Sequence, residues 1–133
     1  MALEKWSRVK PLKDPKSIEV IEKKFGCNLS SELKDCILEN NGGRPKLDFI
    51  KLENGEEYDV KILLSYNEDD IENIYKVSEF FIKNFNGKMI PFASDSAGNY
   101  YCECDGKIVL WTQDDEVLSV CDGFKDFLNS LYE

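Results

Sequence analysis

Four short apolar runs, Met89 to Ala93, Tyr100 to Cys104, Ile108 to Trp111 and Val117 to Cys121, follow one another with only a few turn residues between them. Nothing else in the chain narrows the fold as much. Connections of that length can join only antiparallel neighbours, so the runs predict a four-stranded meander. Asp95, Gly98 and Asn99 are turn residues, the first and last bonding their own backbone and Gly98 supplying positive φ. Asp105-Gly106 is a two-residue hairpin turn of the kind in which both residues take positive φ. It sets Tyr100 against Trp111, Cys102 against Val109 and Glu103 against Ile108. One face then carries Tyr100, Cys102, Val109 and Trp111, and the other Tyr101, Glu103, Ile108 and Leu110. Neither reads as solvated, so each needs a cover. With helices over one, the second is either a partner surface or lies under a loop from the first half.

The rest of the chain alternates between helical and strand periods. Asp14 caps, and Pro15 opens, a first helix through Ile18, Ile21 and Phe25 that Gly26 ends. Ser30 caps a second helix through Leu33, Ile37 and Leu38. The Asn40-Asn41-Gly42-Gly43 run closes it, with Gly42 and Gly43 as turn residues. Alternation at Leu47 to Leu52 and again at Val60, Ile62 and Leu64, around Asn54-Gly55, predicts a pair of strands. From Asp70, Ile71, Ile74, Tyr75, Ser78, Phe81, Ile82 and Phe85 recur at helical spacing, with Asp69 and Asp70 suited to the positive end of that helix. Asp122 caps a last helix through Phe124, Phe127, Leu128 and Leu131. The order ααββαββββα predicts an α+β fold, an antiparallel sheet of about six strands with helices against it, in a single domain over residues 1–133.

Five cysteines are an odd number, and a core of this size holds without disulfides, so free thiols in a reducing compartment are expected. Met1 to Trp6 has no apolar run behind it, and no apolar stretch approaches a membrane span, which predicts a cytoplasmic protein without a membrane partner. Acidic residues number 26 against 17 basic, a net charge of -9. That balance repels nucleic acid and anionic lipid and favours a cationic partner, although acidity also simply keeps a protein soluble.

Catalytic and metal chemistry find little support. Cys102 and Cys104 lie side by side along one strand, about 6.6 Å apart, which suits neither an unstrained disulfide nor a zinc site. A zinc site would need two further ligands, and the chain has no histidine. All five cysteines read as small core residues. Ser94 to Gly98 resembles a nucleophile elbow without its first glycine. A Ser-His-Asp arrangement cannot be built, and a Ser-Lys pair at Ser96 remains the only formal option. Three carboxylate clusters, Glu53/Glu56/Glu57/Asp59, Glu68/Asp69/Asp70/Glu72 and Asp114/Asp115/Glu116, lack the calcium-loop pattern. No glycine pattern for nucleotides occurs. No cofactor, no metal and no catalytic residue are therefore expected.

The order of pieces resembles the SUKH superfamily, which includes fungal cell-wall synthesis regulators and bacterial immunity proteins against polymorphic toxins. The resemblance is carried by the helix ending in Phe25-Gly26, by Asn41-Gly42-Gly43, by Ile90-Pro91-Phe92-Ala93 with Asp95, Gly98-Asn99 and Tyr101, and by Phe124-Lys125-Asp126-Phe127-Leu128. Two places depart from the pattern: Ser30, where the family usually has proline, and a polar insertion around Asn67 to Asp70. The resemblance implies a non-enzymatic α+β binding module, of a family whose bacterial members mostly neutralise a cognate toxin, often a nuclease; the acidic balance adds the expectation that the toxin domain is basic and is blocked sterically and electrostatically. The alternative the resemblance implies is a regulatory protein-binding scaffold with no toxin partner. Contact residues do not carry over between members, so candidates come from charge: Tyr66, Glu68, Asp69, Asp70, Glu103, Asp114, Asp115 and Glu116.

Overall fold

The predicted meander is the centre of the molecule. The computed structural model describes residues 6–133. Strands β6 (Ile90–Ser94), β7 (Tyr100–Cys104), β8 (Lys107–Trp111) and β9 (Val117–Cys121) pair antiparallel in sequence order. Asp105 (φ 51°) and Gly106 (φ 79°) form the positive-φ hairpin turn, and the register sets Tyr100 opposite Trp111, Cys102 opposite Val109 and Glu103 opposite Ile108. At the β6–β7 turn, Asp95 Oδ1 accepts from the backbone N–H of Ala97 and Asn99, and Gly98 takes φ 86°.

The sheet has five strands rather than about six. Its fifth is β5 (Ile62–Leu63), beside β6. The strand expected just before it stays out of the sheet: β3 (Phe49–Lys51) and β4 (Glu57–Asp59) make a separate hairpin. A third pair, β1 (Trp6–Ser7) with β2 (Arg44–Pro45), joins the N-terminal segment to the exit of the second helix. Two-residue strands carry no periodicity, so local pattern does not reveal them.

Helices α1 (Ser17–Phe25), α2 (Ser31–Asn40), α3 (Tyr75–Phe85) and α4 (Phe124–Asn129) complete the α+β fold. Ser30 caps α2, its Oγ accepting from Leu33 N–H at 3.2 Å. Gly26 ends α1 at φ 75°, and Gly42 turns the chain after α2 at φ 67°. Three starts differ from expectation. Asp14 holds the turn before α1, accepting from Lys16 N–H, and the helix proper begins at Ser17. No side chain caps α4, which follows Gly123 rather than Asp122. Helix α3 begins at Tyr75, not Asp70, and Ile71, counted into its apolar stripe, is 84% exposed.

Helices cover both faces of the sheet. From α3, Phe81 meets Tyr100 at 5.9 Å and Trp111 at 5.7 Å between ring centroids. On the other side Phe127 of α4 meets Tyr101 and Phe92, each at 5.3 Å. Each such fully buried aromatic contributes about 2–3 kcal/mol. Gly87, at φ 73°, allows β6 to start against α1, since a Cβ there would stand 1.9 Å from the Phe25 carbonyl oxygen. Among the described residues no helix is long and apolar enough to cross a membrane.

Candidate partner-binding surface

The charged candidates separate according to what else their side chains touch. Glu103 is 5% exposed and lies inside. Its Oε1 accepts from Ser30 N–H at 2.7 Å and its Oε2 from Ser30 Oγ at 2.6 Å. Nearby, Glu22 of α1, also buried, accepts from Leu29 N–H at 2.8 Å and pairs with Lys34 of α2 at 3.0 Å. Two buried carboxylates thus tie the α1–α2 connection to itself and to β7. Tyr66, 1% exposed, is likewise core, and burial drives its hydroxyl far above the usual phenol range. Neither Tyr66 nor Glu103 can meet a docking partner, which corrects their place among the contact candidates. Their positions offered a signal: Glu103 alternates with Tyr101 and pairs with Ile108 on an apolar face, where a carboxylate requires a partner.

The Glu68-Asp69-Asp70 stretch lies in the loop before α3 rather than at a helix start. Asp70 accepts from Ser65 Oγ at 2.5 Å and Asn67 Nδ2 at 3.1 Å. Asp69 pairs with Lys13 at 2.5 Å, and that hydrogen bond holds its carboxyl below the usual range. Asn67 accepts from Lys13 N–H and donates to the Pro11 carbonyl, while Asn41 Nδ2 donates to the Lys10 carbonyl and Ser65 Oγ, and Asn41 Oδ1 accepts from Tyr66 N–H. This loop is stitched to the N-terminal segment. Glu68 alone of the three is exposed without a side-chain bond or ion pair among the described residues.

Asp114, Asp115 and Glu116 form the β8–β9 turn, where Asp115 takes φ 63° and its N–H donates to the Thr112 carbonyl. All three are exposed, and none makes an ion pair among the described residues. Asp115 Oδ1 accepts from Trp111 Nε1 at 3.0 Å. The β3–β4 hairpin docks beside β9 through Glu53 N–H to the Ser119 carbonyl. Tyr58 of that hairpin sits among carboxylates: burial, then Glu56, Glu116, Asp95 and Asp114, push its phenol up. Glu56 of the hairpin and Asp114 and Glu116 of the β8–β9 turn, nearly sixty residues apart in the chain, therefore act on the same phenol.

The groups with reactive potential are engaged otherwise. Ser96 and Lys61 line one depression of about 330 Å³. Ser96 Oγ donates to Asp59, and Lys61 Nζ pairs with Glu72 at 2.6 Å, so neither is placed to activate the other. The five cysteines are unpaired. Burial pushes the Cys36 thiol up to about 12 and Cys121 up to about 11, which opposes thiolate chemistry. Among the described residues no three His, Cys, Asp or Glu side chains are grouped to hold a metal ion.

Compared with known proteins, residues 14–130 match the family model described as the SMI1 / KNR4 family (SUKH-1). No curated protein matches the chain.

Proposed function

The chain belongs to the SMI1 / KNR4 family, SUKH-1, and from that membership we propose that it is an immunity protein, which binds and neutralises a basic toxin domain. Membership is consistent with an immunity or a regulatory role. The observation that favours immunity is the acidic edge around Tyr58 and the β8–β9 turn, in a chain of net charge -9. Carboxylates that lack internal cations present an uncompensated field, which speeds the approach of a basic domain and rejects acidic ones. Once docked, the protein blocks the toxin by bulk and by charge, and it supplies no catalytic group. It works in the cytoplasm of the cell that makes it, where its thiols stay reduced.

The test is co-expression with a basic C-terminal toxin domain of a large secreted protein, sought in the genes beside the one for this chain. Growth is rescued, and the two purify as a complex. If that domain is neither bound nor blocked, and an endogenous housekeeping protein is held instead, the chain is a regulatory scaffold.

A further inference from the structure

Helix α3 does not cover the whole of its face of the sheet. It lies over β6 and β7 and reaches β8 through Phe80 and Phe81, which meet Trp111 at 5.1 and 5.7 Å. Beyond Trp111 the same face continues onto the edge strand β9, where register sets Val117 opposite Trp111 and Ser119 opposite Val109. Cross-strand partners share a face, so these four side chains point to the α3 side. Val109 and Trp111 are half-buried, while Val117 is 47% and Phe80 42% exposed, and Ser119 is exposed. On the opposite side the same two strands carry buried Ile108, Leu110 and Val120 under α4. The sheet is thus sealed on one face and left half-open on the other.

We propose that this open strip, Phe80, Val109, Trp111, Val117 and Ser119, is a docking surface for an apolar anchor on a basic protein. The choice of occupant follows from charge complementarity. The strip runs directly into the Asp114–Glu116 turn, whose carboxylates have no ion pair among the described residues, and Asp115 accepts from the indole of Trp111 itself. An apolar centre with charge at its rim is how protein interfaces are commonly built, with the aromatic as anchor and the rim setting orientation and rate. Along this strand pair the one cation, Lys107, stands at the other end of β8, about 13 Å from Trp111, while on α3 the exposed Lys76 and Lys83 flank Phe80 at helical spacing, so the acidic end of the strip is the one at Trp111 and Val117. A second copy of this chain would bring a like-charged rim against this one, which opposes self-docking.

This surface rests on the toxin-binding reading and deepens it, so the experiment separates the two. The probe is the neighbour-encoded toxin domain, inactivated by substitution of its own catalytic residue, titrated calorimetrically into the full chain. Val117→Lys and Ser119→Arg place a cation and bulk on exposed positions of the strip, and Glu68→Lys is the distant control. The expected result is binding by the wild type, at least tenfold weaker binding by each strip variant with an unchanged melting curve, and less than a threefold change for the control. Phe80→Ala, which shortens an anchor without adding charge, should weaken binding by several-fold and keeps the test alive if a strand variant unfolds. Wild-type binding that all three strip variants retain overturns the surface and leaves the immunity reading standing. No binding by the wild type overturns both. A wild-type dimer in sedimentation that Val117→Lys disperses shows that the strip holds a second copy, and overturns the proposal.

Discussion

Two acid-rich connections, residues 65–72 and residues 112–116, look alike in composition and behave oppositely in the fold. In the first, Asp69 is bound to Lys13, Asp70 to Ser65 and Asn67, and Glu72 to Lys61 and Ser94. In the second, Asp114 and Glu116 have no cation among the described residues, and Asp115 accepts only a neutral indole N–H. The first uses carboxylates as stitching for a loop too long to hold itself, the second leaves them facing outward on a tight turn that needs none. Counting acids therefore does not locate a binding surface. What matters is whether each charge already has a partner.

The contrast is sharpest at Asn41, which anchors the stitched loop from outside it. Asn41→Ala removes three hydrogen bonds, two of them buried, and leaves the Tyr66 N–H unmatched, and should cost about 3 kcal/mol in urea unfolding. A loss under about 1 kcal/mol would mean that the loop holds without its anchor. Tyr66→Phe works in the opposite direction. Its hydroxyl is buried with no hydrogen-bond partner among the described residues, so removing it should stabilise the fold by about 1 kcal/mol. Destabilisation would show that the hydroxyl is satisfied.

A smaller effect concerns pH. Burial alone would raise the Glu72 carboxyl, but hydrogen bonds from Lys61 and Ser94 outweigh it and hold the group below its ordinary value of 4.5. A carboxyl lowered in the folded state stabilises fully above that ordinary value and loses its contribution as pH falls through the folded one. Glu72→Gln should therefore flatten the acid limb of stability below pH 4.5, and an unchanged limb would refute the pairing. Least affected of all is the second turn. Converting Asp114, Asp115 and Glu116 to their amides should move stability by no more than about 0.5 kcal/mol, because none takes part in an ion pair that the fold needs.

Local chemistry made the meander legible. Asp105-Gly106 specifies its own turn and hence the β7–β8 register, and Asp95 with Asn99 specifies the turn before it. The start of α3 was not legible for a physical reason. Ile71 and Ile74 fall at helical spacing, yet residues 65–74 close on themselves through non-helical bonds, Ser65 N–H to the Glu72 carbonyl and Ile74 N–H to the Ser65 carbonyl among them. Periodicity does not report such competition. Ser30 and the Asn67 to Asp70 stretch, the two places that depart from the expected pattern, both carry hydrogen bonds that tie distant parts of the chain. Ser30 supplies Glu103 with an N–H that proline lacks, and the insertion at Asn67 to Asp70 supplies the stitching. The acidic edge was half legible: Asp114 to Glu116 stood out by charge, but their meeting with Glu56 around Tyr58 needed the hairpin to fold back on β9.

On the proposed reading, uncompensated charge at the β8–β9 turn draws in a basic toxin domain. The most direct test of that reading is the association rate with that domain, measured by stopped flow across a series of salt concentrations, for the wild type and the triple amide variant. The wild-type rate should fall steeply with salt, and the variant should associate several-fold more slowly at low salt with a markedly shallower slope. Equal rates and equal slopes for the two proteins would contradict it.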